Sequence, residues 1–294
     1  MPEPPSPASR LRALLAEPGI RVMPCCYDAL SARLIEKAGF ALTFMSGFAV
    51  SATRLALPDR GLISYGEMVE QGREIASAVA IPVIGDADTG FGNALNVKRT
   101  VRGYARAGFA CVMIEDQVSP KRCGHTPGKA VVPRDEALAR VRAALDARDE
   151  SRAAGLDVLV MARTDARAPH GLDEAVARGR AFARLGADIV FVEAPRDEGE
   201  LARIGREIEA PLMANLVEDG DTPRLPPERL AALGFKIAAH PLTLLLASVR
   251  AIQEALAGLA RGEPVERRAS FAELRELVGF AAYDREAGRY ATGE

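Results

Sequence analysis

The chain has 294 residues, 48% hydrophobic and 27% charged, with 38 Lys and Arg against 40 Asp and Glu for a formal net charge of −2. That apolar content can build a large core and excludes a mainly disordered chain. The balanced charge excludes a surface made for nucleic acid or anionic membranes, which needs clustered Lys and Arg. The length exceeds the roughly 100–200 residues of a usual domain, yet suits an α/β barrel of about 250 residues folding as one unit.

Residues 1–10 (MPEPPSPASR) are proline-rich and lack the apolar core of a secretory signal; they are expected to form a flexible tail. Apolar stretches such as 242–247 fall far short of the ~20 residues that cross a bilayer, so no membrane partner is expected. The four cysteines, Cys25, Cys26, Cys111 and Cys123, contain no CxxC pair, which suits reduced thiols in the cytoplasm.

Eight short apolar runs then follow in chain order, at 20–26, 41–47, 81–86, 111–115, 157–163, 188–193, 211–215 and 235–239. They are continuous rather than alternating, the pattern of parallel strands covered on both faces. Amphipathic helical stretches separate them, at 29–38, 97–107, 172–185 and 198–208 among others. Ala38-Gly39-Phe40, Ala107-Gly108-Phe109, Leu185-Gly186-Ala187 and Leu233-Gly234-Phe235 repeat one phrase of helix end, glycine and strand. The alternation predicts a (β/α)8 TIM barrel. A doubly wound sheet is the alternative, but no glycine-rich dinucleotide fingerprint follows the first strand. Residues 242–259 suit the last barrel helix. An amphipathic helix near 270–278 lies beyond the Arg261-Gly262-Glu263-Pro264 break, and is expected to exchange with a partner subunit or to fold back on its own barrel.

Barrel chemistry sits at the carboxyl ends of the strands. The third strand runs into Asp86-Ala87-Asp88-Thr89-Gly90. In an extended segment Asp86 and Asp88 project the same way, and paired carboxylates repel unless a cation lies between them. A solvated polar turn is the ordinary alternative, but Glu115-Asp116 ends the neighbouring strand, and acids converging on one mouth with oxygen-only ligands favour Mg²⁺ or Mn²⁺. Lys121-Arg122-Cys123-Gly124-His125 sets a thiol among cations and an imidazole, which lowers its pKa toward proton transfer near neutrality. Cys111 within a strand, and at least one of Cys25 and Cys26, are expected to be packing residues. Arg163, after the fifth strand, offers a planar fork for a carboxylate or phosphate. Tyr27-Asp28, Ser46-Gly47, Glu193, Asn215 and His240-Pro241 end other strands; each alone is a weak signal, since strand-end polar residues also cap helices.

Tyr27-Asp28-Ala29, Ser46-Gly47, Asp86-Ala87-Asp88-Thr89-Gly90, Glu115-Asp116-Gln117, Lys121-Arg122-Cys123-Gly124-His125 and Ala162-Arg163-Thr164-Asp165-Ala166 occur in order over most of the chain. Together they resemble the isocitrate lyase / phosphoenolpyruvate mutase superfamily. The resemblance implies a Mg²⁺ held by Asp86, with Asp59, Asp88 and Glu115 in its shell, partly through water. It implies an α-keto or α-hydroxy acid whose carboxylate meets Ser46, Gly47 and Gly124. Arg163, His125 and Asn215 would serve the developing anion, Glu193 would be a further catalytic residue, and Cys123 would lie on a mobile loop of about residues 120–132. It also implies a homotetramer of helix-swapped dimers, with a dimerisation helix at about 270–294 on a single domain of residues 1–294.

The Cys123 loop is similar to that of the carbon–carbon lyase branch, which holds the methylisocitrate and dimethylmalate lyases and the petal death protein. Cys25-Cys26 and Asn215-Leu216-Val217-Glu218 depart from the methylisocitrate lyase pattern and favour a 2-substituted malate over a tricarboxylate. Retro-aldol cleavage is then expected. A base, for which Tyr27, a carboxylate and a water are candidates, removes the 2-hydroxyl proton, and Cys123 protonates the enolate. Oxaloacetate hydrolysis or decarboxylation is the alternative, followed by a phosphonate-forming phosphomutase and a catalytically silent keto-acid-binding barrel.

Overall fold

The computed structural model describes residues 5–122 and 128–291. Its elements are α1 (Pro7–Ala16), β1 (Arg21–Cys26), α2 (Ala29–Lys37), β2 (Thr43–Met45), α3 (Gly47–Leu55), α4 (Tyr65–Ala78), β3 (Val83–Asp86), α5 (Ala94–Ala107), β4 (Cys111–Glu115), α6 (Arg134–Ala153), β5 (Leu159–Thr164), α7 (Arg167–His170), α8 (Leu172–Leu185), β6 (Ile189–Val192), α9 (Glu198–Glu207), β7 (Leu212–Asn215), α10 (Pro227–Ala232), β8 (Phe235–His240), α11 (Thr243–Ala260), α12 (Phe271–Val278) and α13 (Phe280–Gly288). The eight strands pair in sequence order, all parallel, and β8 closes on β1. All eight predicted runs carry a strand, and the fold is the expected (β/α)8 barrel.

Alternation within the strands sorts their side chains into two cores. Met23 and Cys25, Leu42 and Phe44, Cys111 and Met113, Leu159 and Met161, Ile189 and Phe191, and Ile237 and Ala239 pack together inside the barrel. Cys26, Val112, Ile114, Val160, Ala162, Val190 and Ala238 belong to the layer between strands and helices. Both faces are apolar, so each strand reads as a continuous run. Helices return to strands through left-handed glycines, as at Gly108 (φ 94°) and Gly186 (φ 95°), a conformation that a Cβ disfavours.

Helix occupies part of the stretch expected to be a tail. Pro7 to Arg10 already belong to α1, because Ser6 caps the helix at Ser9 N and Pro7 stands at its first turn. Ala8, Leu11 and Leu15 are buried in the interior core. Arg12 binds Asp157 in bidentate fashion at 2.5 and 2.8 Å, just before β5, and Lys236 Nζ donates to Glu17 O at the start of β8. These contacts place α1 across the amino ends of the strands, as a plug.

By its contacts the chain divides into two compact units, residues 1–244 and 245–294. In the second unit the expected terminal helix is two helices, broken at Gly279 (φ 88°), with no buried residue in either. Along α11 only Leu245 and Gly258 are buried, while Leu246, Val249, Ile252, Leu256 and Leu259 are exposed. By length and composition α11 would be long enough to cross a membrane, which the shorter stretch at 242–247 did not suggest.

Leu11 is fully buried in the plug. Leu11→Ala should cost about 3 kcal/mol of unfolding free energy, measured by urea denaturation with the carboxyl-end site left intact.

Candidate active site

The interior alternation continues past the last apolar layer and decides which residues face the opening. Asp86 follows Ile84, Glu115 follows Met113, Arg163 follows Met161, Glu193 follows Phe191 and Asn215 follows Met213, each two residues on and so on the same face. Glu115 and Arg163 are register partners across β4 and β5. Above the floor of Cys25, Phe44, Met113, Phe191, Met213 and Ala239 lies a cavity of about 70 Å³. Ser46, Asp59, Asp86, Lys121, Arg163, Glu193 and Asn215 supply its polar wall, and Phe48, Val217, Pro241 and Leu242 its apolar one.

Asp86, Asp88, Asp59 and Glu115 are all buried. Asp86 Oδ1 accepts from Asp88 N at 3.0 Å and Oδ2 from Gly47 N at 3.2 Å. Asp88 does not project alongside Asp86 from an extended chain, as the spacing suggested, because it adopts left-handed backbone (φ 47°) just after the strand. Its carboxylate instead turns toward Lys121. The Lys121 ammonium stands 2.8 Å from Asp88 Oδ1 and 2.6 Å from Asp59 Oδ1. Lys121 was expected to act on the neighbouring thiol; its charge is committed to two acids.

Burial pushes the Asp88 carboxyl up to about 6, against the pull of Lys121. Burial likewise carries Glu115 well above the usual carboxylate range, with Arg163 opposing. Burial works against the Lys121 charge, but Asp88, Asp86, Asp59 and Glu115 more than offset it and hold the ammonium protonated. Despite the close ion pairs, Asp59 Oδ1 and Asp88 Oδ1 receive no directed hydrogen bond, and neither does Glu115 Oε1. Buried carboxylate oxygens without donors are costly, and an oxygen-only set of this kind fits a hard divalent cation. Among the described residues no three acids, thiols or imidazoles close up as a ready ligand set.

Arg163 is fixed from two sides. Its Nε and Nη2 bind Asp165 at 2.7 and 3.0 Å, Nη2 meets Glu193 Oε2 at 3.0 Å, and Nε lies 3.3 Å from Glu115 Oε2. Burial disfavours its charge, yet Asp165, Glu193 and Glu115 raise its pKa well above the usual value. Asn215 Nδ2 reaches both Glu193 oxygens at 3.4 and 3.3 Å.

The other expected site residues divide. Ser46 lines the cavity while its Oγ caps α3 at Ala49 N. The Gly47 N–H, expected to face a substrate carboxylate, is spent on Asp86. A Cβ at Gly47 would stand 2.6 Å from Asp86 Oδ2, so this close approach requires glycine. Tyr27 is half-buried against the outer core and does not line the cavity. Of the two adjacent thiols, Cys25 faces the cavity floor and Cys26 the outer core; burial keeps the Cys25 thiol neutral. Cys123, Gly124 and His125 lie outside the described residues.

Sequence reasoning missed the support behind the rim. Asp116 Oδ2 accepts from Thr164 Oγ1 at 2.7 Å and Arg178 Nη1 at 2.9 Å, and its Oδ1 accepts from Asp165 N at 2.9 Å. Lys129 Nζ donates to Asp165 Oδ1 at 3.0 Å. The opposite parity of Asp116 to Glu115 was the available signal that it faces outward.

Comparison with known proteins bears on this arrangement. The family model described as phosphoenolpyruvate phosphomutase matches residues 11–260. The chain belongs to the PEP mutase/isocitrate lyase superfamily. It is 40% identical to 2,3-dimethylmalate lyase of Eubacterium barkeri over 97% of this chain and 99% of that one. It is 42% identical to a chloroplastic carboxyvinyl-carboxyphosphonate phosphorylmutase of Arabidopsis thaliana, over 96% and 84%. Among solved structures, oxaloacetate acetylhydrolase with 3,3-difluorooxalacetate matches with TM-score 0.92 and 35% identity, covering all of both chains. Phosphonopyruvate hydrolase with oxalate and Mg²⁺ matches with TM-score 0.85 and 31% identity, over 97% and 99%.

Glu174 ties the supporting network to the surface. Hydrogen bonding from Arg134, then Arg178, lowers its carboxyl to about 2 despite some burial. A depressed carboxylate stabilises above its unfolded pKa, and that stability is lost as pH falls toward the folded value. Glu174→Gln should cost about 1 kcal/mol at pH 7, discounted for the exposed Arg134 partner. The difference from wild type should vanish between about pH 4.5 and 2, read from thermal unfolding across pH.

Proposed function

We propose that the protein is a Mg²⁺-dependent carbon–carbon lyase that cleaves a 2-substituted malate, such as a 2-alkylmalate, dimethylmalate or a methylisocitrate-like acid, to an α-keto acid and a second carboxylic acid. The observation that carries this reading is the rim itself: four buried acids, three of them (Asp59, Asp88 and Glu115) keeping an oxygen without a directed hydrogen bond, stand opposite one immobilised arginine, in a cavity with an apolar wall. The identity to dimethylmalate lyase supports the substrate class.

Asp86, with Asp59, Asp88 and Glu115 around it, would hold Mg²⁺, or Mn²⁺ in its place. Bound there, the cation would supply Lewis acidity, lowering the pKa of the substrate 2-hydroxyl and holding the product keto acid. A base accepts the hydroxyl proton. Tyr27 is a weak candidate because it stands off the cavity, so a rim carboxylate or a water is favoured. The bond between carbons 2 and 3 breaks with its electron pair passing to carbon 3. The resulting enolate meets the preorganised donors of Arg163 and Asn215, with His125 a further donor. Cys123 then gives its proton to that carbon, leaving a thiolate that the base's proton restores. Ser46 and Gly124 orient the carboxylate, while Gly47 acts through Asp86. Phe48, Val217, Pro241 and Leu242 suit an alkyl substituent.

Oxaloacetate hydrolysis or decarboxylation is the second reading, favoured by the full-length match to oxaloacetate acetylhydrolase. The Arabidopsis relative keeps phosphonate chemistry as a third. We also propose a cytoplasmic homotetramer of helix-swapped dimers with neither nucleic-acid nor membrane partners. The exposed apolar residues of α11 and of α12 and α13, such as Phe271 and Phe280, support a covering subunit. Arg250 and Glu254, in the middle of α11, each cost about 2.5–3.5 kcal/mol in a bilayer and speak against a span.

A panel of malate, 2-methylmalate, 2,3-dimethylmalate, 2-methylisocitrate and oxaloacetate with Mg²⁺, scored by product identity, tests the reading; oxalate plus acetate as the main products would replace it with the second. Cys123→Ala should lower turnover at least a hundredfold, about 2.7 kcal/mol, and wild-type turnover would remove Cys123 from the mechanism. Gly47→Ala should displace Asp86 and weaken Mg²⁺ binding tenfold or more, measured by calorimetry without substrate.

A further inference from the structure

The proposed reading leaves one buried ammonium without a task. Lys129 follows the segment that carries Cys123, and its side chain is only 3% exposed beside an Asp165 side chain that is wholly buried. Asp165 is the anchor of Arg163, gripping Nε and Nη2 together. Its own backbone N–H is pinned by Asp116, which Arg178 and Thr164 hold in turn. No residue among those described hydrogen-bonds Nη1 of Arg163, although the guanidinium lines the cavity. The arginine is therefore clamped along one edge and presents its remaining donors to a ligand.

The charges explain why a second cation is needed there. Asp165, Glu193 and Glu115 all crowd the same guanidinium. Three carboxylates thus share one arginine. That surplus of negative charge, in a poorly screened interior, would repel any anionic ligand. Lys129, 3.0 Å from Asp165 Oδ1, reduces it by one charge. The ammonium also shares Asp165, so the carboxylate stays ionised against its burial, with Arg163 and Lys129 both lowering its pKa.

We propose that Lys129 is a positioning residue: by sharing the charge of Asp165 it offsets the negative charge behind Arg163 and leaves the free edge of that guanidinium to bind the carboxylate or enolate oxygens of the substrate. The inference rests on the keto-acid site proposed above. It gives a role to a residue outside the cavity lining, and it links the backbone that follows the Cys123 segment to the anion-binding arginine. Gln117 and Val131 form a β-bridge beside it, and Val118 N and Val132 N donate to Ala130 O and Asp116 O at 2.9 Å each. This short ladder fixes the backbone from which Lys129 projects.

The test uses the full chain with Mg²⁺ and oxalate as the probe, titrated calorimetrically, alongside thermal unfolding. Lys129→Met should unfold within a few degrees of wild type yet bind oxalate at least tenfold more weakly, equivalent to about 1.4 kcal/mol. Lys129→Arg, which keeps the charge, should recover most of the affinity. Wild-type affinity in Lys129→Met, or an equal loss in Lys129→Arg and Lys129→Met, would overturn the proposal. If Lys129→Met does not fold, Lys129→Gln takes its place under the same two outcomes. A wild-type protein that binds no oxalate with Mg²⁺ or Mn²⁺ would remove the keto-acid site and this inference together. That result differs visibly from a wild type that binds and a Lys129 variant that binds equally well.

Discussion

Carboxylates gathered at the open end of the barrel set the terms for everything around them. Asp59, Asp86, Asp88 and Glu115 are buried within one rim, and like charges so placed cannot all ionise without nearby cations. Lys121 meets the need on one side and Arg163 on the other. Neither satisfies every oxygen. The rim is therefore a structure under electrostatic tension, built on strands rigid enough to hold it. A site of this kind trades folding stability for a strong field at one point, where a ligand with matching charge recovers the difference.

The barrel was legible because its strands are buried on both faces. Runs such as Val158-Leu159-Val160-Met161-Ala162 carry no polar interruption, and a sequence of that kind has few homes besides a parallel sheet under helices. Their last residues were legible for the same reason: when an apolar run ends in Glu115 or Arg163 on the inward parity, the side chain has nowhere to point but the opening. Chain direction and alternation are local properties, and a single sequence records them well.

What escaped were properties set across the fold. Nothing local to Ala87-Asp88-Thr89 announces a left-handed Asp88, which follows from the Asp86 side chain capturing the next-but-one N–H. Gly47 looked like an anion-binding amide, and its N–H turned out to serve a carboxylate 39 residues away. Lys121 and Lys129 look like solvated loop lysines; their burial depends on Asp59, Asp88 and Asp165, contributed by three other parts of the chain. The start of α1 was hidden in a proline-rich stretch, although Ser6 before Pro7 is a helix-opening pair.

The α1 helix has a consequence of its own. Leu11 and its neighbours seal the amino end of a barrel whose interior is already filled by Met23, Phe44, Met113, Met161 and Phe191. Small molecules therefore have no passage along the barrel axis, and traffic to the acidic rim is confined to the carboxyl side. A helix at the far end from the rim thus helps to fix the direction of approach.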